Sequence, residues 1–117
     1  MKYQVLHNAR CGKSRAAIQY LDEHHVDYEV RAYLKDPLSK SELHQLIKLL
    51  GLKPIDLVRT NENEWKDHFK GKDLSDDEIL EAMVAYPKLI QRPIVATSQA
   101  AVIARPIEKL TEFLKEN

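Results

Sequence analysis

Two strand-like segments flank one helix-prone run at the start of this chain, and that arrangement narrows the fold more than any other feature. Lys2 to His7 has strand character, with Tyr3 and Val5 alternating against Gln4 and Leu6. Ala16 to His24 is helix-prone, and Val26 to Tyr33 alternates again as a second strand. A strand, a short helical crossover and a second strand form a parallel pair, because a tight hairpin cannot join parallel strands.

The chain then changes character. Asp36-Pro37 punctuates, and Ser39 with Glu42 makes a capping box ahead of Leu43, Leu46, Ile47 and Leu50 at helical spacing. Gly51 stands where a C-terminal glycine cap belongs. Pro54 to Val58 suits a short helical turn, and Asn61 to Gly71 is polar with aromatic anchors at Trp65 and Phe69. A second capping box, Ser75 with Glu78, introduces Ile79, Leu80, Met83 and Val84. From Asp36 to about Leu89 no segment reads as a strand. Strand character returns at Pro93–Ala96 and Ala101–Ala104 across a polar turn, and Pro106 suits the first turn of a helix over Ile107–Lys115. The expected fold is α/β and thioredoxin-like: a four-stranded mixed sheet in the order β-α-β … β-β-α, with a helical insertion between strands 2 and 3 at about residues 36–89.

At 117 residues the chain has room for one domain with a proper core. Eighteen basic and eighteen acidic side chains cancel, so no global field argues for nucleic acid or an anionic membrane as partner. The N-terminus runs into strand-like sequence without an apolar signal core, and no apolar run reaches the length of a membrane span. The expectation is a cytoplasmic protein, where a single thiol stays reduced. With one cysteine the chain forms no internal disulfide, so a redox-active Cys11 needs its resolving thiol from another molecule.

Cys11 lies between the first strand and the first helix. A thiol there sits near unpaired backbone N–H groups, where the helix dipole favours negative charge. Arg10, Lys13 and Arg15 add positive potential. Such surroundings lower a cysteine pKa from about 8.5 into the range of roughly 3.5–7.5 and make the thiol a nucleophile. A buried structural cysteine is the plainer reading, and the placement favours the nucleophile.

Several other chemistries fail on spacing. Gly12-Lys13-Ser14 resembles the end of a nucleotide-binding P-loop, but His7 stands where that loop needs a glycine. A phosphatase loop of the Cys-x5-Arg kind would need arginine at Ala17. The five histidines lack ligand spacing and one cysteine cannot make a structural zinc site, so no metal is expected. His24-His25 suits the C-terminal end of the first helix, where cations are favourable. The arginines are more informative. Arg59 ends the first part of the helical block, and Arg92-Pro93 and Arg105-Pro106 bracket the last hairpin. Proline restricts the backbone before it and so fixes where each guanidinium points. The planar donor fork of arginine matches a tetrahedral oxyanion. Arg92-Pro93 is also a candidate cis peptide.

Taken together, His7-Asn8, Cys11-Gly12, Ser14-Arg15, Leu57-Val58-Arg59, Arg92-Pro93 and Arg105-Pro106 resemble the glutaredoxin-coupled arsenate reductase family, in the same order along nearly the whole chain. The family usually has proline after the asparagine, where this chain has Ala9 and Arg10. The resemblance implies a thioredoxin-like core with a helical insert. It implies Cys11 as the nucleophile and Arg59, Arg92 and Arg105 as oxyanion ligands, with His7, Asn8, Ser14, Arg15 and Pro93 in support. His7 would add a positive charge or orient the loop.

The implied activity is reduction of arsenate to arsenite through a Cys11 thiol–arsenate adduct, in the service of arsenic detoxification. Glutathione is the implied co-substrate, glutaredoxin the implied partner, and no cofactor is bound; the expected state is a monomer. Two alternatives share parts of the pattern. Spx-type regulators have the fold and the Arg-Pro signature and bind RNA polymerase, but they carry a Cys-x-x-Cys pair of which Cys11 and Ser14 keep half. A general glutathione-dependent thiol-transferase would use the same cysteine without arsenate.

Overall fold

A computed structural model describes residues 3–8 and 10–116. Along the chain lie β1 (Tyr3–Leu6), α1 (Gly12–Glu23), β2 (Tyr28–Arg31), α2 (Lys40–Leu50), a 3₁₀ turn (Pro54–Leu57), α3 (Asn63–His68) and α4 (Asp76–Ala85). A second 3₁₀ turn (Pro87–Leu89), β3 (Ile94–Ala96), β4 (Ala101–Ile103) and α5 (Glu108–Glu116) follow. The chain divides into two compact units, one built from its two ends up to Asp36 and from Arg92 onward, the other from Pro37–Gln91. Lys2, counted above with the first strand, and Ala9 lie outside the described residues.

The first unit is the four-stranded mixed sheet that the sequence pattern implies. Its strand order is β2-β1-β3-β4, with β1 parallel to β2 and antiparallel to β3, and β3 antiparallel to β4. This is the thioredoxin-like arrangement. On one face Val5, Val95, Ala17, Leu21, Ala104, Leu110 and Phe113 make a core to which both α1 and α5 contribute. The helix stripe explains the packing: Ser14, Ala17 and Leu21 recur at three and four residues and are the buried positions of α1. The expected alternation along the first strand does not hold, since Val5 and Leu6 are both buried. A central strand is covered on both faces, so period-two polarity disappears there.

The C-terminal end of α1 follows from its own residues. His24 donates from Nδ1 to the Tyr20 carbonyl at 2.8 Å and stacks on the Tyr20 ring, and His25 takes the left-handed conformation with φ of 56°. Val26 N–H then returns to the Leu21 carbonyl at 3.0 Å, which turns the chain into β2.

The second unit is helical, as its sequence pattern implies. Both capping boxes form: Ser39 Oγ accepts from Glu42 N–H at 3.1 Å, and Ser75 Oγ from Glu78 N–H at 3.2 Å. Gly51 closes α2 with φ of 69°, where a side chain would be strained. A short helix completes the helical block, and one bridge departs from the expectation of no strand pairing there. The polar stretch Asn61–Gly71 contains α3, whose Trp65 is buried and packs on Phe69 with ring centroids 5.3 Å apart. Val58 and Ile90 also form an isolated antiparallel bridge, flanked by hydrogen bonds from Arg59 N–H to Leu89 O (2.7 Å) and Gln91 N–H to Leu57 O (2.9 Å). No helix among the described residues is long and apolar enough to cross a membrane.

Candidate active site

The register of the sheet gathers most of the candidate residues at one end of the first unit. Leu6 pairs with Ile94 and Ile94 with Ile103, so the loop leaving β1, the entry to β3 and the exit from β4 meet there. Ala104 N–H donates to Pro93 O at 2.9 Å, which continues the β3–β4 pairing and sets the two Arg-Pro pairs at the same end of one hairpin. Both Arg92–Pro93 and Arg105–Pro106 peptides are cis. Pro93 is fully buried, Arg92 half-buried and Arg105 exposed.

The loop before α1 is built around Asn8. Its side chain is buried, and Oδ1 accepts from Arg10 N–H at 3.0 Å while its carbonyl accepts from Cys11 N–H at 2.9 Å. These bonds turn the chain so that Cys11 becomes the N-cap of α1, with extended backbone (φ −97°, ψ 120°) and its carbonyl accepting from Arg15 N–H at 3.1 Å. No side-chain oxygen caps this helix. The sulfur holds the position from which a serine or aspartate would accept from the second and third N–H groups of the helix.

That position decides the chemistry of the thiol. Burial is the largest single influence and pushes the thiol up. Hydrogen bonds from Ser14 N–H, the Arg92 side chain, Lys13 N–H and the Ser14 hydroxyl act the other way and bring its pKa from 9.0 down to about 7. Lys13 and Ser14 are the second and third residues of α1, so the same orphan N–H groups that invite a cap stabilise the thiolate. Near neutral pH a large share of Cys11 is ionised.

Unsatisfied polar atoms surround it. Among the described residues, His7 Nδ1, Ser14 Oγ and Arg92 Nε are buried without a hydrogen-bond partner in regular geometry. Ser14 Oγ is still close enough to the sulfur to favour its ionised form. Buried polar atoms without partners are costly, and two of these three, on Ser14 and Arg92, belong to side chains that favour the thiolate. Arg15 lies back over the loop, with Nη2 3.8 Å from where a Cβ on Gly12 would stand. Burial, and then the Arg15 charge, hold His7 below the usual histidine range. His7 is thereby held toward its neutral form.

Arg59 belongs to the second unit. Its backbone is held by the Leu89 carbonyl, and its Nη1 donates to Glu62 Oε1. Sequence reasoning named Arg59 and missed Glu62; three-residue spacing was the available signal, but it falls across a turn rather than within a helix. The Lys13 and Ser14 N–H groups are the unpaired helix-start donors that the sequence placed near the thiol.

A thiol of lowered pKa thus stands at a helix N-terminus, on a thioredoxin-like sheet and beside the half-buried Arg92. The family model described as the ArsC family matches residues 6–113, and this chain belongs to that family. Similar proteins include the uncharacterised protein YfgD of Escherichia coli K12, 37% identical with 95% of each chain covered. An arsenate reductase of Neisseria meningitidis serogroup A is 34% identical, covering 95% of this chain and 97% of its own. A solved structure of an arsenate reductase from Vibrio cholerae superposes with a TM-score of 0.90 at 36% identity, covering 96% of this chain and 97% of that one.

Proposed function

We propose that this protein is an arsenate reductase of the externally resolved type. The observation that carries the reading is the Cys11 thiol, brought to about 7 by helix N–H groups and by Arg92. Relatives named arsenate reductase support the choice of oxyanion. Arg92 and Arg105 gather the arsenate dianion through charge-assisted hydrogen bonds. The Cys11 thiolate attacks arsenic, forming an S–As bond as one arsenate oxygen leaves as water after protonation. Ser14 and the N-terminal N–H groups of α1 hold the sulfur, and His7 and Asn8 keep the loop in place.

Resolution requires a second thiol, and this chain has one cysteine. Glutathione thiolate attacks the Cys11 sulfur, making a mixed disulfide as the S–As electron pair passes to arsenic and arsenite leaves. Two thiols are oxidised to one disulfide while arsenic(V) becomes arsenic(III). Glutaredoxin thiolate then attacks the glutathione sulfur and frees Cys11. The protein works as a cytoplasmic monomer in this reading.

The test is iodoacetamide alkylation of Cys11 with and without arsenate, with sulfate as the control, followed by turnover with glutathione and glutaredoxin. Arsenate protection, turnover in the wild type and none in Cys11→Ser are the expected results. Retained turnover in Cys11→Ser would sink the mechanism. An Arg92→Ala, Arg105→Ala double variant should lose arsenate capture by at least about 10- to 100-fold, the worth of one charge-assisted contact. Normal activity there would remove those arginines from the site.

A further inference from the structure

Helix α1 carries its charges against its own dipole. Its first turn holds Lys13 and Arg15 and no acid, and its last turn holds Asp22 and Glu23 and no base. Either placement costs stability. At the far end the acids have local partners: Asp22 accepts from the Tyr28 hydroxyl at 2.6 Å and Glu23 from Gln19 Nε2 at 3.1 Å. At the thiol end Lys13 is exposed and meets no acid among the described residues. Arg15, also exposed, reaches back with Nη2 3.8 Å from where a Cβ on Gly12 would stand, and its charge is felt at His7. Asp22 lies about 16 Å along the helix from Cys11, beyond the reach of screened charge at physiological salt. All of these residues belong to one compact unit. A second observation points the same way. Ser14, between the two cations in sequence, is fully buried and turns a hydroxyl without a regular partner toward the sulfur.

We propose that Lys13 and Arg15 are specificity-determining residues for the resolving thiol, which they select as an anionic, carboxylate-bearing molecule. This rests on the reading that the Cys11 adduct is resolved from outside the chain, which has one cysteine. The resolving thiol attacks as a thiolate, and the adduct it meets is itself an oxyanion, so like charges must approach. Cations beside the sulfur offset that repulsion. They also pair with a carboxylate on the incoming molecule while its sulfur is aligned for attack. Glutathione, with two carboxylates and one ammonium, has the net negative charge this requires, whereas a thiol carrying only an ammonium is repelled. Because both side chains are exposed, they act on encounter and orientation, and salt screens them.

The experiment needs no arsenate. Cys11 is converted to its mixed disulfide with 2-thiopyridine, an uncharged group. An attacking thiolate bonds to the Cys11 sulfur, and the old S–S bond breaks with its electron pair leaving on pyridine-2-thione, which is followed by absorbance. One disulfide replaces another, with no further oxidation or reduction. Rates are compared for 3-mercaptopropionate, 2-mercaptoethanol, cysteamine and glutathione. Each is divided by the rate of the same thiol with the 2-thiopyridyl disulfide of 2-mercaptoethanol, which cancels intrinsic nucleophilicity. At low salt 3-mercaptopropionate should lead cysteamine about ten-fold, with glutathione on the anionic side and the ratio shrinking as salt is added. Lys13→Gln and Arg15→Gln should each lower the ratio about two- to three-fold, and Lys13→Arg should keep it. Lys13→Glu should lower the ratio further while raising the melting temperature of the same disulfide form, since an acid suits the first turn. A merely structural role would move the melt and leave the ratio alone. A wild-type ratio near one, or one that these variants leave unchanged, would overturn the proposal. Arsenate protection of Cys11 is measured separately. Protection without a charge preference would overturn this proposal alone, and a charge preference without protection would support it while overturning arsenate as the substrate.

Discussion

The Arg92 side chain hydrogen-bonds the sulfur of Cys11, joining the entry of β3 to the N-terminus of α1. The contact depends on the sheet register, which brings the two segments to one end. It strengthens when the thiol ionises, because a guanidinium only donates and a thiolate accepts far better than a thiol. The alkylation rate of Cys11 should therefore rise with pH through a midpoint near 7. In Arg92→Ala the burial that pushes the thiol up remains and one of its opponents is gone, so the midpoint should move upward. An unchanged midpoint in that variant would show that the N–H groups of α1 suffice.

The same shift makes a statement about stability. The thiol pKa is lower in the folded chain, about 7, than its unperturbed value of 9.0. Stability from the thiolate is therefore fully present above pH 9, shrinks as the pH falls toward 7 and is absent below it. Two units correspond to at most about 2.7 kcal/mol, and less here because the thiol is only partly buried and solvent screens it. Urea unfolding of the wild type and Cys11→Ala between pH 6 and 9.5 should show the difference between them growing in favour of the wild type with pH.

Asn8 separates geometry from charge. Asn8→Ala loses the Oδ1 bond to Arg10 N–H and should cost about 1 kcal/mol in urea unfolding. Asn8→Asp keeps that acceptor but places a negative charge in the loop that presents the thiolate. Like charges disfavour ionisation, so the Cys11 midpoint should rise in Asn8→Asp even where the loop is intact. Alkylation profiles of both variants, read beside their unfolding curves, check the distinction.

How much of this was legible in the sequence depends on how local each feature is. The capping boxes at Ser39 and Ser75, Gly51 at the end of α2 and Cys11 at the start of α1 are decided within a few residues, and all of them stand in the structure. The strand alternation around Val5 failed because burial on two faces depends on what the rest of the chain brings to the sheet. Helix α3 falls within the block read as helical, and Trp65, one of the aromatic anchors read there, is its buried residue. The Val58–Ile90 bridge, the Arg92–Cys11 contact and the lowered pKa of His7 join distant segments, and no local pattern encodes them. The Arg59–Glu62 pair is local, but its turn geometry lacks the helical periodicity that would have announced it.

The two capping boxes give a control that leaves the thiol alone. Ser39→Ala and Ser75→Ala each remove an acceptor for an N–H of the first turn, of α2 and α4 respectively. Each should lower stability by about 1 kcal/mol, seen as a lower urea midpoint with an unchanged slope. Neither serine belongs to the unit that carries Cys11, so the alkylation profile of Cys11 should stay as in the wild type.

Ser14 is where stability and reactivity pull apart. Its side chain is fully buried inside the first turn of α1, and its hydroxyl has no partner in regular hydrogen-bond geometry among the described residues. A buried hydroxyl left unsatisfied costs on the order of 1–3 kcal/mol, and alanine is the better helix former. At pH 6, where the Cys11 thiol is mostly protonated and holds this hydroxyl only weakly, Ser14→Ala should therefore raise the melting temperature, or at least not lower it. Yet the same hydroxyl helps to bring the Cys11 thiol down to about 7, so the variant should also have a higher alkylation midpoint and a slower reaction at pH 7. Gain in one measurement and loss in the other would show that the serine is kept for the thiolate. A variant that lost stability would instead make Ser14 an ordinary part of the helix, and the anion-ready character of the site would rest on Arg92 and the backbone alone.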